Sequence, residues 1–506
     1  MSGIRNLVFG GIFLVIGSSA AAGDARFTGA TPGCMTLEEA IVYALSFDPD
    51  IRKKYADIYG AAGFSKEMRS DLLPQVRLES GAGWAVRDRS IDGLATGGDN
   101  LFHRDAALIV EQLLWDNKFN LYRWNDAEQR LAAEQLLQKA QREMTAFGVV
   151  NVYLNVLTAR QQINLANQNV AVHRQIRSLA DNRADGAGTQ AEVELSAARY
   201  NLALTLLKER QLAAKQAEAQ FKRYVGVHPP TLIQPNRKHI PSIDCIDSTK
   251  SWTYQAISRQ LEAANYAKEA VKSRYSPRIK FRGTGRVGED VLGIAGEDNE
   301  ASALVVVSWD LIESGRKKGM MMQAVADIER QQADLELTQV LLDQDIEARW
   351  DDYTTARERI GIMNEYADQL EVTVDLYQEQ FELNQRPLLS VLDIQNEEIG
   401  SRIKLTDDER DFTVSGYHLY FFSGQLISQT VGESYLVDLT AEPDPERLRL
   451  RYPQAQSTLD PKRPNIFADE PVLTPRAVPI PIADKSTAVA ADAGKKGLFG
   501  WLKKTP

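Results

Sequence analysis

Two rhythms of apolar and polar residues run through the chain: a period of two in short stretches, and alternating spacings of three and four in very long ones. Val76, Leu78, Ala82 and Trp84 alternate with Gln75, Arg77, Gly81 and Gly83, and Ile279, Phe281 and Val287 alternate with Arg278, Lys280, Arg282, Thr284 and Arg286. Each stretch predicts a strand with one apolar and one cationic face. Partner strands are expected at about 106–114 and 301–311, across polar Gly- and Asp-rich loops at 87–103 and 289–300. Such strands are long enough to cross a bilayer when tilted, which takes about 9–11 residues. The same pattern also fits two hairpins on a sheet in water.

Residues 316–383 contain neither a proline nor an interior turn cluster, so a single helix about 100 Å long is expected. Its stripe runs Ile346, Trp350, Tyr353, Ile360, Met363, Ala367, Leu370, Val374, Tyr377 and Phe381, the spacing of a narrow coiled-coil seam. Asn384-Gln385-Arg386-Pro387 breaks it, and a second helix returns to about residue 422, with the proline tolerated at its start. Residues 119–183 behave alike: a turn follows at 184–188, then a return to about residue 224 opened by the capping-box pattern Thr189-Gln-Ala-Glu192. Neither narrow hairpin can bury its surface alone, so neighbours are required.

The two halves are copies, offset by roughly 200 residues. The run ending Leu73-Pro74-Gln75-Val76-Arg77 aligns with the run ending Ser276-Pro277-Arg278-Ile279-Lys280. Further along, the stretch from Gln112 to Lys118 aligns with that from Asp310 to Arg316, and Gly188-Thr189 to Val193 aligns with Arg386-Pro387 to Val391. Each copy therefore reads helix, strand, strand and long helix pair.

At the start, Arg5 precedes an apolar stretch at 7–16 and the small residues Ser18 to Ala22, which predicts a signal peptide cut after Ala22; an uncleaved anchor is the alternative. No later stretch holds about 18 uninterrupted apolar residues, so any membrane crossing falls to strands. The 506 residues carry 59 Lys+Arg against 69 Asp+Glu, a net charge of −10, with no basic surplus to suggest nucleic acid. Two cysteines and five scattered histidines give no metal-ligand spacing, and no Gly-rich loop precedes a helix. No enzyme activity, metal or cofactor is expected. Ten of the 19 prolines fall from Pro443 onward, which marks the end of the chain as a flexible extension.

The export signal, the duplicated units and their junctions resemble the TolC family of outer-membrane channel proteins over about 36–426, opening at Thr36-Leu37-Glu38-Glu39-Ala40 and Asp48-Pro49-Asp50-Ile51. The most specific stretch, from Phe381-Glu382-Leu383-Asn384 through Asp393 to Glu397, is similar to the helix-turn-helix tip of members serving type I protein secretion. The resemblance implies a mainly α fold with a β-barrel part: a homotrimer whose twelve strands close one barrel in outer-membrane lipid, continued by a periplasmic α-helical barrel. The cationic strand face would line the lumen. The implied parts are a signal peptide (1–22), an N-terminal periplasmic segment (23–35), a first repeat (36–226), a linker (227–251), a second repeat (252–426) and a Pro-rich extension (427–506). The implied function is the exit duct of a type I secretion system, with a periplasmic adaptor and an inner-membrane ABC transporter as partners. A multidrug efflux duct is the alternative within the class, and a periplasmic coiled-coil scaffold the alternative outside it.

The resemblance also assigns residues. Asp393 would contribute to a carboxylate ring at the narrow periplasmic end, or else be a solvated helix carboxylate; Glu192 holds the matching position in the first copy, where capping explains it equally well. Arg386 would hold the closed end through polar links to neighbouring helices, or else be a solvated turn arginine, and Ser390 stands where relatives often carry an acid. Asn384 stands where glycine is common. Adaptor docking falls to the two tips, with Gly186, Gly188, Val193, Asn384, Leu388, Leu389 and Val391, unless these residues pack subunits together. Cys34 and Cys245, each shortly before the first helix of a copy, would form a disulfide or remain two thiols.

Overall fold

Polar caps open the helical part of the chain. Thr36 accepts from the Glu39 N–H while the Glu39 carboxylate accepts from the Thr36 N–H, starting α1 (Leu37–Phe47); Asp48 caps α2 (Pro49–Ser70), whose proline sits in the first turn. The computed structural model describes residues 33–86, 89–91, 94–96, 100–184, 188–236, 240, 242–290 and 296–432. The expected signal peptide, and the extension beyond residue 432, lie outside them.

After α1 and α2, preceded by the short strand β1 (Cys34–Met35), come β2 (Gln75–Val86), a small ladder of β3 (Arg89–Ile91) and β4 (Leu94–Thr96), and β5 (Asn100–Trp115). The first hairpin of helices is α3 (Phe119–Ala184) and α4 (Gln190–Val225), followed by β6 (Thr231–Leu232). The second copy supplies α5 (Trp252–Ser273), β7 (Arg278–Glu289), β8 (Glu297–Ser308), α6 (Arg316–Glu382) and α7 (Leu388–Phe422), and a short α8 (Leu426–Thr430) ends the described chain. The long helices begin and end within two residues of where the pattern places them.

The four long strands form one antiparallel sheet in the order β2-β5-β7-β8, so the two copies meet through β5 and β7. Two strand bounds differ from expectation. β5 begins at Asn100 rather than near 106, and β8 occupies Glu297–Ser308 rather than about 301–311. The added outer segments, such as Glu297-Asp298-Asn299-Glu300 opposite Arg286 to Glu289, have no apolar alternation; backbone pairing with an existing strand sustains them.

The seam of α6 is as read: Ile346, Tyr353, Ile360, Ala367, Leu370 and Phe381 are buried, and the intervening stripe residues are half-buried. The largest core lies midway along the helices. Val149, Val150, Tyr153 and Val156 of α3 meet Ile41 of α1, Phe221 of α4, Tyr417 of α7 and Ile427 of α8. The segment expected as a linker is woven into this core. β6 pairs in parallel with β1, and the buried Tyr153 hydroxyl accepts from the Ile233 N–H (2.9 Å) beside the carbonyls of Met35 (2.8 Å) and Ile233 (2.6 Å). Order also continues past residue 427, the expected start of the extension: Leu426 and Ile427 are fully buried, and the Ile427 N–H donates to the buried Glu143 carboxylate (3.2 Å).

Candidate functional site: an amphipathic sheet and two helical tips

Pleating sorts the sheet into two faces. Register puts Val76, Leu78 and Trp84 opposite Val110, Leu108 and Phe102, and these in turn continue across β7 to Val305 and Val307 of β8. This face is mainly apolar and stands in the open: Leu78 and Trp84 are each 72% exposed, Val305 64% and Val307 63%; near its outer end it also carries Arg104, paired with Glu289. Among the described residues no helix is long and apolar enough to cross a membrane. Trp84 and Phe102 meet edge to face at 5.2 Å near the outer end, and Trp115 closes β5 at the foot. From Phe102 to Trp115 the strand runs about 44 Å, or about 34 Å along the normal at a ~40° tilt, the separation of two aromatic girdles around a hydrocarbon layer.

The opposite face carries Arg77, Arg278, Lys280, Arg282 and Arg286, as read, but the register adds Glu79, Asp105, Glu111, Asp298 and Glu300 to it. The expected cationic face is therefore a mixed one. Glu111 accepts from Arg282 (2.7 Å) and lies 3.6 Å from Lys280, and His103 is 2.9 Å from Asp105. Asp298 and Glu300 fell in the loop expected at 289–300 and Asp105 just before the strand expected at 106–114, while Glu79 and Glu111 lay on expected strands whose charged face was read from its basic residues. The outer strands β2 and β8 leave one long ladder each unpaired within the chain, and such edges invite pairing with another copy.

At the other end, α3, α4, α6 and α7 form the two tips. Asp393 of α7 is 58% exposed and pairs with Arg199 of α4 at 2.9 Å, which ties one copy to the other. Burial, and then the Arg199 cation, hold the imidazole of His173 below its ordinary value, so it is neutral beside this pair. Glu192 is the reciprocal partner of Thr189 in the cap of α4, its carboxylate accepting from the Thr189 N–H at 3.0 Å. Arg386 lies over the Tyr377 ring at 3.5 Å and donates to Gln380 at 2.8 Å, both on α6 of its own hairpin. A further link between hairpins comes from Arg183, unremarked in the sequence, which donates to the Phe381 carbonyl at 2.7 Å and covers its ring at 4.3 Å. Its signal was faint: a basic residue closing the last turn of α3.

Of the residues assigned to docking, Leu388 and Val391 are 1% exposed and belong to a small core with Ile176, Ala180, Phe381 and Leu392. They hold the tips together, which corrects their assignment as a docking edge. Leu389 is exposed, Val193 half-buried, and Ser390 half-buried with its N–H donating to the Pro387 carbonyl (3.1 Å). Asn384 is exposed and left-handed at φ 63°, the role a glycine has in such turns. Gly188 closes its own turn: its N–H donates to the Arg183 carbonyl at 2.7 Å, and a Cβ there would stand 2.9 Å from the Arg183 carbonyl carbon. Gly186 lies outside the described residues. Cys34 is an exposed free thiol, and the side chain of Cys245 lies outside the described residues.

A groove of about 570 Å³ runs between α3, α6 and α7, with Val172, Val374 and Ile399 in its walls and Arg402 joined to Glu371 (2.8 Å) and to Glu398 along its rim.

No protein-family model matches the chain. The chain is 23% identical over 330 residues to the outer membrane efflux protein BepC of Brucella suis, spanning 64% of this chain and 72% of that one. Its fold matches the outer membrane protein VceC of Vibrio cholerae with a TM-score of 0.68 at 17% identity, over 78% of this chain and 96% of that one. The Campylobacter jejuni CmeC outer membrane channel matches with a TM-score of 0.67 at 14% identity, over 77% and 86%. The resemblance read from the sequence thus holds in three dimensions, and the chain has the fold of the TolC-family outer-membrane channel proteins.

Proposed function

We propose that the chain is one protomer of a homotrimeric duct in the outer membrane, an efflux channel that passes solute outward from a periplasmic adaptor and an inner-membrane transporter. The observation that carries this is the sheet. Four antiparallel strands, mainly apolar on one open face and charged on the other, with two unpaired edges, satisfy their backbone in lipid only as part of a closed barrel. Three copies give the twelve strands of such a barrel, with the mixed-charge face inward. The apolar residues of α6 outside its seam, among them Leu337, Val340, Ile362 and Val372, are exposed in one copy and supply contact for the next. Adaptor docking falls to the tips, where Leu389 is exposed and Val193 half-buried.

The finer reading is type I protein secretion through an ABC transporter, supported by the tip sequence from Phe381 to Glu397. The second reading, small-molecule efflux, is favoured by the name of the BepC relative. Fractionation and deletion test both levels. Recovery in the outer membrane as a detergent-stable trimer supports the duct, and recovery as a soluble periplasmic monomer overturns it. Loss of one large protein from the medium with unchanged drug tolerance supports secretion; heightened drug sensitivity with an intact secretome supports efflux.

A further inference from the structure

At the foot of the sheet, on its charged face, a cavity of about 200 Å³ opens between β2, β5, β7 and the first turn of α3. Its walls bring Arg123, Arg278 and Lys280 together with Asp71 and Glu111. The two carboxylates are already engaged: Asp71 accepts from Arg123 at 3.1 Å, and Glu111 is shared between Lys280 inside the cavity and Arg282 beside it. Arg278 has no carboxylate partner among the described residues; its guanidinium lies over the Phe119 ring at 5.1 Å, and Arg123 approaches the same ring at 5.6 Å. A guanidinium over a ring engages through its face, which leaves its in-plane N–H donors for another acceptor. The cavity therefore holds a surplus of positive charge, a forked donor set packed beside the Phe119 ring, and room for a small solute with its water.

We propose that this cavity binds a compact phosphate-type oxyanion, with Arg278 and Lys280 as its principal donors and Phe119 holding the guanidiniums in place. A planar fork matches two oxygens of a phosphate or carboxylate, and an ammonium adds a third contact. That the site faces transported solute rests on the duct reading above; that it binds an anion does not. In the trimer, three such sites would ring the passage where barrel meets helices, a place at which anionic solute, or phosphate on the solute, would pause.

Binding and conduction are measured separately. Full-length protein in dodecyl maltoside is titrated with pyrophosphate and followed by the broadening of the phosphorus-31 resonance. Saturable broadening is expected for the wild type, about tenfold weaker in Arg278→Gln, the effect of losing one charge-assisted contact. Lys280→Gln should weaken it as well, and serves if Arg278→Gln does not fold; Arg349→Gln, far along α6, should leave it unchanged. Absence of broadening in the wild type, or equal broadening in all variants, overturns the site. In planar bilayers the wild type should show pyrophosphate block of its conductance that Arg278→Gln relieves. Conductance without pyrophosphate binding sinks this inference alone, and binding without any conductance sinks the duct reading while leaving the site.

Discussion

Glu143 shows how much one side chain in the mid-helix core decides. It is 1% exposed, and burial pushes its carboxyl up to about 8 despite the Ile427 N–H that it accepts. A carboxyl raised in this way favours the folded state when protonated. Its contribution is complete below about 4.5 and is lost as pH rises towards about 8. The difference amounts to on the order of 5 kcal/mol. His418, stacked on Phe147 at 4.1 Å and Phe422 at 4.6 Å, acts with the opposite sign: burial pulls it down to about 4, so its contribution is present above about 6.5 and lost as pH falls. Glu143→Gln should keep the hydrogen bond and remove the proton dependence. Thermal unfolding followed by circular dichroism should then show a higher midpoint than the wild type at pH 8 and a similar one at pH 5; an unchanged difference between the two pH values would contradict this. At the tips, Asp393→Asn removes a half-exposed carboxylate and frees Arg199. The reversal potential of the channel in a salt gradient should move towards anions, and a potential identical to wild type would remove Asp393 from the conduction path.

At the scale of elements, the tips depend on a small apolar cluster. Phe381→Ala should cost about 3–5 kcal/mol locally. Hydrogen exchange should quicken at 176–184 and 377–395 while 146–156 in the main core stays protected; uniform change along both hairpins would argue against a separately held tip. The elements themselves were largely legible in the sequence. Proline at 387 and the turn at 184–188 marked the helix ends, and strict alternation marked β2 and β7, because those signals are local. What was illegible depends on partners. The outer halves of β5 and β8 are strands because a neighbour extends the ladder, β1 and β6 exist only as each other's partner, and α8 is fixed by a carboxylate 284 residues away. The same holds for the tip residues. Leu388 and Val391 read as a docking edge until the first copy's Ile176 and Ala180 cover them, and the Asp393–Arg199 pair joins positions 194 residues apart.

For the whole molecule, the account rests on the sheet facing lipid on one side and a water-filled passage on the other. Both faces are exposed in a single chain, and a closed twelve-stranded barrel gives each its proper surroundings. The most direct measurement places single cysteines, in a background with Cys34 and Cys245 replaced by serine, at Leu108 and Val305 on one face and at Thr284 and Ser302 on the other, in protein reconstituted into liposomes. A fluorophore at Leu108 or Val305 should be quenched by nitroxide lipid and spared by aqueous iodide, and one at Thr284 or Ser302 should show the reverse. Equal access of iodide to all four positions, with no quenching from lipid, would contradict the account.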